Sequence, residues 1–208
     1  MFNLPTPYEV ATITPAIMVG LTAHEFAHGW VADQLGDPTA RRAGRLTLNP
    51  LAHIDPIGLL LLYLAGFGWA KPVPVNPYNF RDGRRGLLLV SLAGPLANIV
   101  VAVLAALLLG LGGSIGPVGA DILQVMVWIN VVLAVFNLLP VPPLDGSKVL
   151  AGLLPGRQEW LLWLEQYGII LLLLLVFTGA IRFLIKIIIA PLASLLITFG
   201  YELATLMR

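Results

Sequence analysis

His24, Glu25 and His28 stand in the order His-Glu-x-x-His, and these residue types at this spacing do hydrolytic chemistry. On an α-helix, residues four apart lie one turn apart on the same side, so the two imidazoles can share one metal ion. Glu25 sits beside them and can take a proton from a water that the metal activates. A pattern with three fixed positions also arises by chance, or from helix residues bonded to their neighbours. The setting argues against both, because the pattern sits in an otherwise apolar run. Leaving three such groups unpaired in hydrocarbon costs roughly several kcal/mol, so ionisable residues at membrane depth read as functional.

The composition sets that depth. Of 208 residues, 58% are hydrophobic and 11% charged, with a mean hydropathy of +0.90. A soluble domain carries roughly 25% charged residues, so this is a membrane chain with room for one helical bundle. The net charge of +1 points to neither nucleic acid nor an acidic partner. The absence of cysteine removes disulfides, zinc-thiolate sites and cysteine nucleophiles together. Met1 to Val10 has no basic region or cleavage site, so the first helix is expected to direct insertion.

The elements that must position the motif follow from start and stop signals. Thr14-Pro15 reads as a helix start and Leu35-Gly36-Asp37-Pro38 as its stop, a helix of about 21 residues that places the histidines near mid-membrane. Two basic groups, Arg41/Arg42/Arg45 and Arg81/Arg84/Arg85, put the flanking loops on the cytoplasmic side. Between them, Ile57 to Ala70 is apolar over only about 14 residues, so Leu46 to Phe80 is expected to be re-entrant. Within it Pro72, Pro74 and Pro77 forbid helix, and Val73 to Asn79 is expected to offer an extended edge. A headgroup-level loop is the plainer alternative. Leu87 to Leu111 is a spanning helix interrupted by Gly94-Pro95, with Asn98 one turn later as helix-packing glue or a site residue.

Gly112-Gly113-Ser114-Ile115-Gly116 matches the G-x-S-x-G pattern of serine hydrolases but lacks a strand-turn-helix setting and a histidine partner, so an inter-helix turn is the better reading. A further helix, Asp121 to Leu139, ends in Asn137, Pro140, Pro142, Pro143 and Leu144-Asp145-Gly146. The prolines stop the helix and free backbone carbonyls. Asp145 is a carboxylate beside an apolar run; it is either paired with Lys148 or the third ligand that hydrolytic zinc sites take. His53 and Asp55 could form a second metal site, but a hydrogen-bonded turn is the simpler expectation. Beyond Pro155-Gly156, Trp160, Trp163 and Tyr167 read as an interfacial belt, followed by an apolar run to Phe177 and a last segment broken at Pro191.

These residues together resemble the site-2 protease family of intramembrane zinc metalloproteases. The resemblance rests on His24-Glu25-Phe26-Ala27-His28 and on Asn137, Pro140, Pro142 and Leu144-Asp145-Gly146. It is supported by Gly44-Arg45-Leu46-Thr47-Leu48-Asn49-Pro50, His53-Ile54-Asp55-Pro56 and Gly94-Pro95-Leu96-Ala97-Asn98. It implies His24, His28 and Asp145 as ligands of one Zn2+ per chain, Glu25 as the base, and Asn137 as a substrate or oxyanion contact. Some relatives carry a PDZ or C-terminal regulatory domain; a minimal form without either is expected here.

The expected architecture is an all-α polytopic membrane protein, a single metalloprotease domain over 1–208. Its core covers 14–154, its C-terminal helices 158–208, and it includes one re-entrant or extended segment. The expected activity is zinc endopeptidase cleavage of a transmembrane substrate protein within the bilayer. Asn137, Val73, Val75, Asn76 and Asn98 are the candidate substrate-binding residues. The partners are that substrate and the lipid bilayer, not nucleic acid, and the expected location is the cell membrane of a prokaryote. A metal or proton transporter using His24, His28 and Asp145, and an idle scaffold, are the competing readings. Glu25 separates them, since only hydrolysis needs a base beside the first ligand.

Overall fold

The structure, a computed structural model, describes residues 5–65, 68–112, 115–154 and 159–206. The serine of the glycine-rich turn at 113–114 and the Pro155-Gly156 stop lie outside these residues, as does the Trp160 side chain. The first helix, α1 (Pro7–Gln34), begins earlier than Thr14-Pro15 suggests. Thr6 caps it: its hydroxyl accepts from the Glu9 N–H at 3.2 Å, and its own N–H donates to the Glu9 carboxylate at 2.7 Å. Pro7 occupies the first turn, where its missing N–H costs nothing, and Pro15 is carried inside the helix. The consequence for the site is direct. His28 lies six residues, about 9 Å, before the end of α1 at Gln34, so the motif sits toward the basic end and not at the middle.

After α2 (Thr39–Arg42), Asn49 caps a 3-10 turn at Pro50–Ala52, and α3 (Pro56–Ala65) follows. At 10 residues α3 is about 15 Å long, too short to cross a bilayer. Ile54 and Ala70 form an isolated antiparallel bridge, and the chain then runs without helix from Lys71 to Asn76. Among the described residues there is no β-strand; the edge expected over Val73 to Asn79 is non-helical only as far as Asn76, whose backbone is extended, and it closes in a 3-10 turn at Pro77–Asn79 that Pro77 starts.

The long helix α4 (Gly83–Leu111), capped by Asp82, is the axis of the bundle. Helices α1, α5 (Gly116–Asn137), α6 (Asp145–Leu153) and α9 (Ala190–Leu206) all pack on it. Arg84 near the start of α4 donates to the carbonyls of Gly152 and Leu153 at the end of α6, which fixes α6 at the basic end. The apolar core lies toward the other end, where Ala102, Ala105 and Ala106 of α4 meet Val127 and Val131 of α5, and Ile189 and Ala193.

Helix α7 (Glu159–Phe177), whose Trp163 and Tyr167 rings stack at 4.9 Å, ends at Gly179 in the left-handed region, φ 78°. Helix α8 (Ala180–Leu184), a π turn at Ile185–Ile189 and α9 then form one continuous rod. The wider π turn precedes Pro191, which therefore does not break the segment. Among the described residues, four helical stretches are long and apolar enough to span a membrane: Pro7–Gln34, Gly83–Leu111, Gly116–Asn137 and Ala180–Leu206. The chain is an all-α, multi-pass integral membrane protein.

Candidate metal centre

His24 and His28 project from one side of α1 into a buried gap between α1, α4 and the start of α6. Their Nε2 atoms are 3.0 Å apart, and each lies 3.1 Å from Asp145 Oδ2. Among the described residues, these three form the one group of His, Asp or Glu whose ligand atoms gather closely enough to hold a metal ion. Asp145 reaches them from 117 positions along the chain because it opens α6, held against α4 by Arg84. It faces the imidazoles, and no ion pair joins it to Lys148 among the described residues.

The second nitrogen of each ring fixes the tautomer. His28 Nδ1 lies 2.7 Å from the Val90 carbonyl, which can only accept, so that nitrogen carries the proton. His24 Nδ1 lies 2.7 Å from Asn98 Oδ1. The Asn98 amide cannot be turned round, because its Nδ2 donates to the Gly20 carbonyl and to Asn130 Oδ1, each at 2.9 Å. In the neutral rings, the form that binds a metal, both Nε2 atoms therefore present lone pairs toward Asp145 Oδ2. Three lone-pair donors held about 3 Å apart repel one another unless a cation lies between them. Tetrahedral zinc with bonds of about 2.0 Å would set its ligands about 3.3 Å apart, so the donor set and its spacing fit this metal.

Gly94 of α4 makes the space. A Cβ there would meet His28 Nε2 and would lie 2.6 Å from His24 Cε1 and 2.7 Å from His24 Nε2. Glu25, also buried, turns toward the extended segment, and its Oε2 accepts the Val73 N–H at 2.7 Å. A cavity of about 340 Å³ opens beside this group, lined by Glu25, Val73, Val75, Ser91, Asn137 and Lys148 among others.

The structure divides the other candidate residues. Val73, Val75 and Asn137 line the cavity; the Asn137 Nδ2 is tied to the Leu133 carbonyl at 2.9 Å. Two expectations are corrected. Asn98 is fully buried behind His24 with both ends of its amide engaged, so it orients a ligand and bridges helices and is not free to meet substrate. Asn76 turns away from the cavity: its N–H goes to Asp37 Oδ2 and its side chain accepts from the Tyr78 N–H. His53 is a buried turn residue, its Nε2 2.8 Å from the Thr47 carbonyl, while Asp55 caps α3 through the Ile57 and Gly58 N–H groups. Sequence reasoning missed the roles of Gly94 and the Val90 carbonyl. The Gly94-Pro95 pair was the available signal for the first; a backbone carbonyl leaves none.

A family model described as peptidase family M50 matches residues 117–178. The Bacillus subtilis protein named "Putative zinc metalloprotease YwhC" is 42% identical over 181 residues, covering 83% of this chain and 81% of that protein. The chain belongs to peptidase family M50. "Putative zinc metalloprotease Rip2" of Mycolicibacterium smegmatis is 35% identical over 175 residues, covering 79% of this chain and 66% of that protein. "Zinc metalloprotease MJ0392" of Methanocaldococcus jannaschii is 25% identical over 189 residues, covering 89% of this chain and 47% of its own length. No solved structure matches. The resemblance to the site-2 protease family, the enzyme class and the membrane architecture expected of this M50 member are thus borne out.

Proposed function

We propose that this M50 peptidase is a zinc enzyme that hydrolyses a peptide bond of a membrane protein within or beside its membrane-spanning segment. The observation that carries the proposal is the burial of His24, His28, Asp145 and Glu25 around one cavity between apolar helices. His24 Nε2, His28 Nε2 and Asp145 Oδ2 would hold the zinc. When bound, zinc supplies Lewis acidity toward the scissile carbonyl and lowers the pKa of water. Glu25 holds and moves the proton. Its Oε2 is engaged by Val73, which leaves Oε1 to accept a proton from the attacking water and pass it to the leaving amine.

A substrate helix hides its carbonyls in its own hydrogen bonds and must unwind to be cut, exposing backbone groups that cost roughly several kcal/mol each if unpaired in hydrocarbon. The segment 73–75 can take them. Val75 lines the cavity beside Val73, and its N–H has no partner among the described residues, so it is available to a substrate carbonyl. The flanking prolines keep the edge from pairing elsewhere. Asn137 lies across the cavity, suited to hold the other side of the substrate. The placement of the centre about 9 Å from the basic end of α1 shortens the path for water. The prokaryotic sources of the relatives support a prokaryotic cell membrane as the location.

The transporter reading is weaker. Toward the far end of α1, the buried polar residues among the described ones are Thr12, Thr22, Asn98 and Asn130, none of which ionises to relay an ion. The test reconstitutes the protein in vesicles with single-span substrates and maps the product ends by mass spectrometry. Cuts inside or beside the apolar segment, abolished by a zinc chelator and weakened by Val75→Pro, are expected. Zinc or proton flux across the vesicles without cleavage would overturn the proposal.

A further inference from the structure

Asp37 lies just beyond α1 and is completely buried. Its carboxylate accepts from both the N–H (3.1 Å) and the hydroxyl of Thr39, from Asn79 Nδ2 at 2.7 Å and from the Asn76 N–H at 2.7 Å. Burial pushes its carboxyl up, but these hydrogen bonds outweigh that and hold it below the ordinary carboxylate range, so it is charged at neutral pH. The two bonds from Thr39 suffice to close a local turn. Those from Asn76 and Asn79 do something else: they tie the far end of the extended segment to the end of α1.

That segment meets Glu25 between two anchors. Upstream, Lys71 is gripped through its carbonyl by Arg45 Nη2 at 2.8 Å and through its N–H by the His53 carbonyl at 2.9 Å. Downstream, Asp37 holds Asn76. Between them, Pro72 and Pro74 have no N–H to offer, so Val73 supplies the bond that meets Glu25, and Asn76 bonds on the opposite edge. A free glutamate side chain samples several rotamers; the bond from the Val73 N–H to Oε2 restricts them and leaves Oε1 without that partner.

We propose that Asp37 is a positioning residue for proton transfer: it fixes the 73–76 segment so that the Val73 N–H holds Glu25 in its working orientation. This rests on Glu25 being the base. The prediction is specific, because a loss that reaches Glu25 acts through Val73 and falls on kcat, whereas a loss that reaches the substrate edge at Val75 falls on KM.

The test uses the whole zinc-loaded protein with a single-span substrate. Asp37→Asn is expected to keep its zinc content and KM within about twofold and to lower kcat about tenfold, the loss of roughly one charge-assisted hydrogen bond. In a Val73→Pro background, which lacks the N–H, the same substitution should lower kcat less than about twofold. An unchanged kcat for Asp37→Asn, or equal losses in both backgrounds, overturns the proposal; should Val73→Pro be inactive, the kcat and KM of the single variant decide. Should Asp37→Asn not fold, Asn79→Ala removes one exposed donor to Asp37: a fall in kcat of a few-fold with unchanged KM supports the proposal, and no fall overturns it. Glu25→Gln is assayed alongside. Retained cleavage there refutes the reading of the site itself, whereas an inactive Glu25→Gln beside a fully active Asp37→Asn refutes only the role of Asp37.

Discussion

Gly94 and Gly110 lie on the same helix, and neither has room for a Cβ. At Gly94 the atoms in the way are the imidazoles of His24 and His28; at Gly110 they are the backbone of Gly200 on α9. Gly94 faces buried polar residues, with Asn98 bonding His24, Gly20 and Asn130 at once. Around Gly110 the buried residues are alanines and branched aliphatics, with Ala106 and Gly110 facing Gly200 in the small-residue spacing that brings membrane helices close. One helix thus uses the same omission of a side chain to admit ligands at one end and a neighbouring backbone at the other. A small residue in a membrane helix says only that something comes near; its neighbour decides whether that is chemistry or packing.

The sharpest way to break this contrast is Gly94→Ala. Its methyl would overlap both ligand rings, so zinc content is expected to fall well below half while the helical content and thermal midpoint of the metal-free protein stay near those of the parent. Next in size is Asn98→Leu, which leaves the His24 Nδ1 proton and Asn130 Oδ1 unpaired; partners behind a metal ligand are worth about 10–100-fold in metal affinity or activity. Zinc titration and cleavage rates measure it. Gly200→Ala belongs to the other half. It should cost about 1–3 kcal/mol by overpacking α4 against α9, read as a lower midpoint in thermal unfolding, with stoichiometric zinc retained. Loss of zinc in Gly200→Ala as large as in Gly94→Ala would remove the distinction.

What the sequence made legible follows the same division. The His24-Glu25-x-x-His28 pattern is local, so helix geometry alone places its groups together. Asp145 is distant, yet its chemistry is legible because a lone carboxylate in an apolar run needs a reason. The start of α1 is ambiguous in the sequence because Thr14-Pro15 and Thr6-Pro7 both satisfy the start rule; the reciprocal Thr6–Glu9 bonds decide for the earlier one. Asn76 was misassigned because alternation along an extended segment fixes which residues share an edge but not which edge faces the cavity. The anchoring of that segment depends on the side chains of Asp37 and Arg45 and the backbone carbonyl of His53 meeting backbone from 18 to 39 positions away, which no spacing in the sequence records.

The central claim is that Glu25 supplies the proton transfer at a zinc site made by His24, His28 and Asp145. Glu25→Gln keeps the shape of the side chain and removes its capacity to act as a base. Zinc content and cleavage of a single-span substrate, measured on the same preparation, test the claim most directly. The account predicts about one zinc per chain, as in the parent, with cleavage reduced at least about 100-fold. Cleavage within a few-fold of the parent at full zinc occupancy would contradict it.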